Sequence, residues 1–172
     1  MIGEIIAESL QLSLRYAETL AVGIEPSHFG RLANVDGRII ASNHPAWVYG
    51  HLCLYSPRVI EDLGGDAASI QVPEEWQPLF SQSSECQDDP QGTIYPHKDQ
   101  LVDQLLRGYR AAEQTLRSTP DEVFSQLNPN ERMRSKFSTL GSMENFYTGG
   151  HFMIHMGQIS AWRRMTGLGS AM

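Results

Sequence analysis

The chain has 172 residues, 41% of them hydrophobic and 19% charged, which fits one domain able to bury a core and argues against disorder along its whole length. Thirteen basic residues against twenty acidic ones give a net charge of −7, so no basic face for phosphate contacts is apparent and nucleic acid is not an expected partner. Cys53 and Cys86 are the only cysteines, too few for a disulfide framework and not arranged as a Cys-x-x-Cys thiolate pair.

Met1-Ile2-Gly3-Glu4 opens the chain without a basic leader, and no apolar run is long enough to span a membrane. The expected location is cytoplasmic. Residues 4–22 read as a helix, with Ile6, Leu10, Leu14, Ala17 and Ala21 recurring at intervals of three and four, and Gly23 and Pro26 end it. A loop rich in turn residues follows, among them Asn34, Asp36 and Gly37. Ser42-Asn43 is a plausible cap for a second helix over 44–55, with Pro45 in its first turn, where a missing N–H is harmless. One more short helical turn is expected at 57–62.

Residues 64–96 are the least regular part, with four prolines and three glycines around a polar run at 81–89. A connection this long suits a crossover between helices, and Glu74-Glu75-Trp76-Gln77 reads as one helical turn within it. A third helix spans 98–117, its stripe built from Leu101, Leu105, Tyr109, Ala112 and Leu116, and a short turn is expected at 121–127. The last long helix spans 135–166, with Phe137, Leu140, Tyr147, Ile154, Ile159 and Trp162 on its apolar side and Gly167 as its stop. Gly141, Gly149 and Gly150 each cost about 1 kcal/mol there relative to alanine, and either break the helix or admit a close neighbour. No strand or internal repeat is evident. Four amphipathic segments predict an all-α, four-helix bundle with a long crossover between the second and third helices, as a single domain over 1–172.

The strongest chemical signal is His151-x-x-x-His155. Two histidines four residues apart stand one above the other on the same side of a helix. Tyr147, His151, His155, Gln158 and Trp162 project on one face, and its aromatic content points it inward. Buried imidazoles at this spacing either satisfy themselves on nearby polar groups or share a metal. His51 joins them if the second helix turns its His44–Val48–His51–Tyr55 face to the same interior, since metal sites in bundles are built from facing helices. Three neutral imidazoles suit zinc, nickel, copper or iron and leave a coordination position open. His44 lies two turns before His51 and reads first as a helix-start or surface histidine, second as a cavity wall. His28 and His97 read as solvent-facing.

Trp47-x-x-Gly50-His51, Tyr95-Pro96 and His151-x-x-x-His155-x-Gly157-Gln158 with Arg163-Arg164 and Gly167 together resemble the DinB/YfiT-like superfamily, in this order and over nearly the whole chain. Two features depart from the usual pattern. Gly149-Gly150 interrupts the run before His151, and His97 stands where a small capping serine is common. The resemblance implies a four-helix bundle with the crossover after its second helix, and His51, His151 and His155 as ligands of a divalent metal, commonly zinc or nickel. It further implies a metal-dependent enzyme that transfers or isomerises with a low-molecular-weight thiol, and it favours a homodimer. An open metal site polarises a bound water or thiol, so a hydrolase-like relative stands beside the thiol enzyme.

Around such a site, Glu144 reads first as a solvated glutamate favoured by the helix dipole and second as a base or a support to the metal ligands. Gln158 either hydrogen-bonds a ligating imidazole or braces two helices. Tyr147 reads as core, Arg163 and Arg164 as complements to the C-terminal dipole, and Cys53 points away from His51. The competing reading is a non-catalytic metal- or ligand-binding dimeric bundle with a stress-related role, favoured by the lack of a convincing acid or base beside the histidines.

Overall fold

The computed structural model describes residues 1–171 and is mostly helical. Helix α1 (Ile2–Ala21) buries Ile6, Leu10, Leu14, Ala17 and Ala21, the stripe read from its periodicity. Its start is held by Asp121, whose Oδ1 accepts from the N-terminal amine and from the Ile2 N–H, both at 2.8 Å. The short α2 (Pro26–Phe29) comes next.

The following segment corrects the strand-free expectation. Strands β1 (Ala33–Val35) and β2 (Arg38–Ile40) pair antiparallel, with Ala33 opposite Ile40. Asp36 (φ 51°) and Gly37 (φ 81°) turn the chain between them, both in the left-handed region that a tight hairpin turn requires. The strands are three residues long and Val35 and Ile39 are exposed, so no apolar alternation marks them.

Helix α3 (Pro45–Cys53) is buried along its full length, and α4 (Ser56–Asp62) continues beyond Tyr55. The cap of α3 is His44 rather than Ser42 or Asn43, for its Nδ1 accepts from the Trp47 N–H at 3.2 Å. In the long connection lie a 3-10 turn at Ala68–Ile70 and the helix α5 (Trp76–Phe80).

Helix α6 (Lys98–Ser118) buries Leu101, Leu105, Tyr109, Ala112 and Leu116, and packs against α1, α3 and α4. His97 caps it within a capping box closed by Gln100, so an imidazole does here what a serine would. After α7 (Asp121–Phe124) the final helix begins later than expected, because residues 135–139 are not helical. It runs as α8 (Leu140–Asn145), a π-helical turn over Phe146–Gly150, and α9 (His151–Met165). The paired glycines therefore neither break the helix nor leave it regular. They occupy a turn with one extra residue, a feature that often accompanies functional sites. That residue changes the helical phase between α8 and α9. Ile154, expected on the apolar side, is exposed, while Phe152, Met156, Ile159 and Trp162 face the core. Helix α9 packs on α1, α3 and β1. Among the described residues no helix is long and apolar enough to cross a membrane.

Candidate metal centre

Helices α3 and α9 bring His51, His151 and His155 together, with one nitrogen of each ring within 4.8 Å of the others. The Nε2 atoms of His51 and His151 lie 3.4 Å apart, and those of His155 and His151 3.2 Å apart. His51 and His155 are buried and His151 is partly exposed.

The far sides of the rings decide what the near sides present. His51 Nδ1 donates to the Phe80 carbonyl at 2.7 Å, and His155 Nδ1 donates to Gln158 Oε1 at 2.9 Å. A neutral imidazole carries one proton, so a donating Nδ1 leaves Nε2 as a lone pair. Two lone pairs thus point at one locus, beside His151 Nε2. His151 Nδ1 is buried with no partner among the described residues. A proton on His151 Nε2 faces only one of the two lone pairs at a time, whereas a cation meets all three nitrogens.

Burial keeps the rings uncharged. It lowers His51 to about 4 and His151 to about 3, with like-charge repulsion from neighbouring rings adding to each, and it also lowers His155. Neutral imidazole is the form that binds metal.

The supporting residues come from several elements. Trp47 stacks on His51 at 4.7 Å and 10°, and its Nε1 donates to Ser84 Oγ at 3.0 Å. Tyr55 lies 4.5 Å from the His151 ring and 5.2 Å from Tyr147. Gln158 does both things open to it, since its Oε1 also accepts from Asn43 Nδ2 at 3.3 Å and so ties α9 to the start of α3. Residues 64–96 wall one side, giving the Phe80 carbonyl to His51, Ser84 to Trp47, and the Gln87 carbonyl to His44 Nε2 at 2.8 Å.

His44 starts α3, as its first reading has it, but it is fully buried and does not line the cavity at the three histidines, because both its nitrogens serve the α3 cap and the connection. Three other expectations need correction. Glu144 is not solvated. It is fully buried with no donor to either oxygen among the described residues, and burial, with Asp62 beside it, pushes it up to about 9. Two acceptor carboxylates hold together only by sharing a proton, which Glu144 keeps. The π turn between Glu144 and His151 rotates it out of the register that an unbroken helix would give. Tyr147 is half-buried wall rather than core, and Arg163 serves another helix, donating to the Leu20 and Val22 carbonyls at the end of α1 at 2.9 and 2.7 Å.

A cleft of about 560 Å³ opens on the histidines, lined also by Trp47, Tyr55, Gln82, Met133, Lys136, Phe137, Phe146 and Tyr147. No family model, characterised protein or solved structure matches the chain.

Proposed function

We propose that the chain is a divalent-metal protein of the DinB/YfiT-like kind, a four-helix bundle with its crossover after the second long helix, in which His51, His151 and His155 hold the ion. The observation that carries this reading is the convergence of three Nε2 atoms, two of them left as lone pairs by their Nδ1 hydrogen bonds. Two ligands at 2.0–2.1 Å on a tetrahedral ion stand about 3.3–3.4 Å apart, whereas right-angled positions stand about 2.9 Å apart. The separations of His151 from His155 and His51, 3.2 and 3.4 Å, are close to the tetrahedral spacing for those two pairs, and the imidazole set suits zinc first and nickel second.

A divalent ion with three protein ligands and one open position supplies Lewis acidity to a group that enters the cleft. The chain's own residues orient the rings, with Phe80 and Gln158 fixing tautomers and Trp47 stacking against His51. The reading extends to a cytoplasmic, homodimeric enzyme that acts on a small molecule, with a low-molecular-weight thiol as the group activated. Thiolate is a favourable zinc ligand, which supports that choice.

One observation favours the non-catalytic alternative, a metal- or ligand-binding bundle. No aspartate or glutamate lines the cleft, and burial raises its tyrosines, Tyr55 and Tyr147, above their ordinary range. Elemental analysis of protein purified without a histidine tag tests the metal reading. One divalent ion per chain is expected, lost in His51→Ala, His151→Ala and His155→Ala with helicity retained.

A further inference from the structure

The cleft differs in charge from the rest of the chain. Twenty acidic residues against thirteen basic ones make the protein negative, yet none of the acidic ones lines this cleft. Lys136 does, exposed at its rim, and among the described residues its ammonium makes no hydrogen bond or ion pair. Arg58 adds positive potential nearby, 5.3 Å from the centre of the Tyr55 ring. Three neutral imidazoles leave the charge of a divalent ion uncompensated, so the loaded cleft is strongly positive inside a negative protein. A concave, low-dielectric site of one sign concentrates ligands of the other.

Its walls specify the body of the ligand. Phe137 stacks on Phe146 at 4.9 Å, Phe146 meets Tyr147 at 5.6 Å, and Tyr147 meets Tyr55 at 5.2 Å, giving a row of rings that reaches His151. Met133 completes the apolar lining. Such walls favour a planar ring, which gains offset-stacked or edge contacts beyond its area. The volume, about 560 Å³, is that of a small-molecule site.

Resting on the metal reading, we propose that the cleft binds a small ring-bearing anion. Its ring lies among Phe137, Phe146, Tyr147 and Met133, its anionic group meets Lys136, and a second donor atom meets the metal. Recognition of this kind makes and breaks no covalent bond.

Cobalt-substituted protein tests it, because the visible spectrum of the ion reports on its fourth ligand. The probes are para-mercaptobenzoate, its methyl ester, and mercaptoacetate, which keeps the anion and lacks the ring. The ring-bearing acid should bind about tenfold or more tightly than either of the others, a difference of about 1.4 kcal/mol. Lys136→Met should erase the preference for acid over ester while cobalt content stays at the wild-type level. Equal binding of acid and ester, or a preference that survives Lys136→Met, overturns the anion assignment while the metal site stands. Mercaptoacetate binding as tightly as para-mercaptobenzoate overturns the ring assignment. Failure to take up cobalt at all removes the metal reading, and this proposal with it.

Discussion

The Phe80 carbonyl accepts from His51 Nδ1 at 2.7 Å, while the Phe80 ring fills the space beside Gly50, one residue earlier on α3. The same residue orients His51 and packs against its helix. Phe80 is itself fixed by ring contacts to Trp76 and Tyr95, both at 5.7 Å. A Cβ on Gly50 would lie 2.3 Å from the Phe80 ring. Gly50→Ala must therefore move Phe80, and its carbonyl with it. The expected outcome is a stability loss of about 1–3 kcal/mol in chemical denaturation, with weakened metal binding in the fraction that folds.

Gln158 holds the His155 tautomer through its bond to Nδ1. Gln158→Ala should leave the fold intact and weaken metal binding by about 10–100-fold, as loss of such orienting bonds does. Competition against a chromogenic chelator measures this. Asn43→Ala, which leaves the His155–Gln158 bond in place, should cost less.

Buried Glu144 predicts a pH effect of definite sign. Its native pKa, about 9, stands above the ordinary carboxyl value, so the native state binds the extra proton. Its stabilising contribution is complete below about pH 4.5 and is lost as the pH rises through 9. Glu144→Gln supplies a neutral group of the same shape. The variant should match wild type near pH 4.5 and exceed it increasingly toward pH 9, by on the order of a few kcal/mol. Urea unfolding across that range reads the difference, and a constant offset would remove the buried neutral carboxyl.

The histidines carry the opposite sign. With native values of about 4 for His51 and about 3 for His151, the unfolded chain takes up protons first on acidification. Their contribution to the stability of the metal-free protein is full above about pH 6.5 and is lost as the pH falls through those native values. Measured in the Glu144→Gln background, which removes the larger opposing titration and leaves only that of Asp62, also raised by burial, the melting temperature should fall as acid is added below pH 6.5. A flat profile down to pH 4 would contradict the burial of neutral rings.

Much of this was readable where a single periodicity governed. The stripes of α1 and α6 are buried as spaced, and the four-residue step of His151 and His155 sets both on one side of α9. Reading failed where local geometry broke the period. The π turn moved Glu144 and Ile154 out of the register assumed for them. The hairpin carried its Asp36-Gly37 signal, yet strands of three residues with exposed Val35 and Ile39 offered no alternation to confirm it. The Phe80 carbonyl was invisible because every residue has one, and only the path of the 64–96 connection brings that one to His51. Lys136 gave no signal until the fold set it at the rim of the cleft.

Long-range nitrogen–proton NMR of the imidazoles, followed as zinc is added to chelator-treated protein, tests the central relationship most directly. The protons should sit on Nδ1 of His51 and His155 before zinc is added. The Nε2 signals of His51, His151 and His155 should then shift together and saturate at one equivalent. A ring of the three that stays unmoved, or that responds through Nδ1, would contradict the shared site.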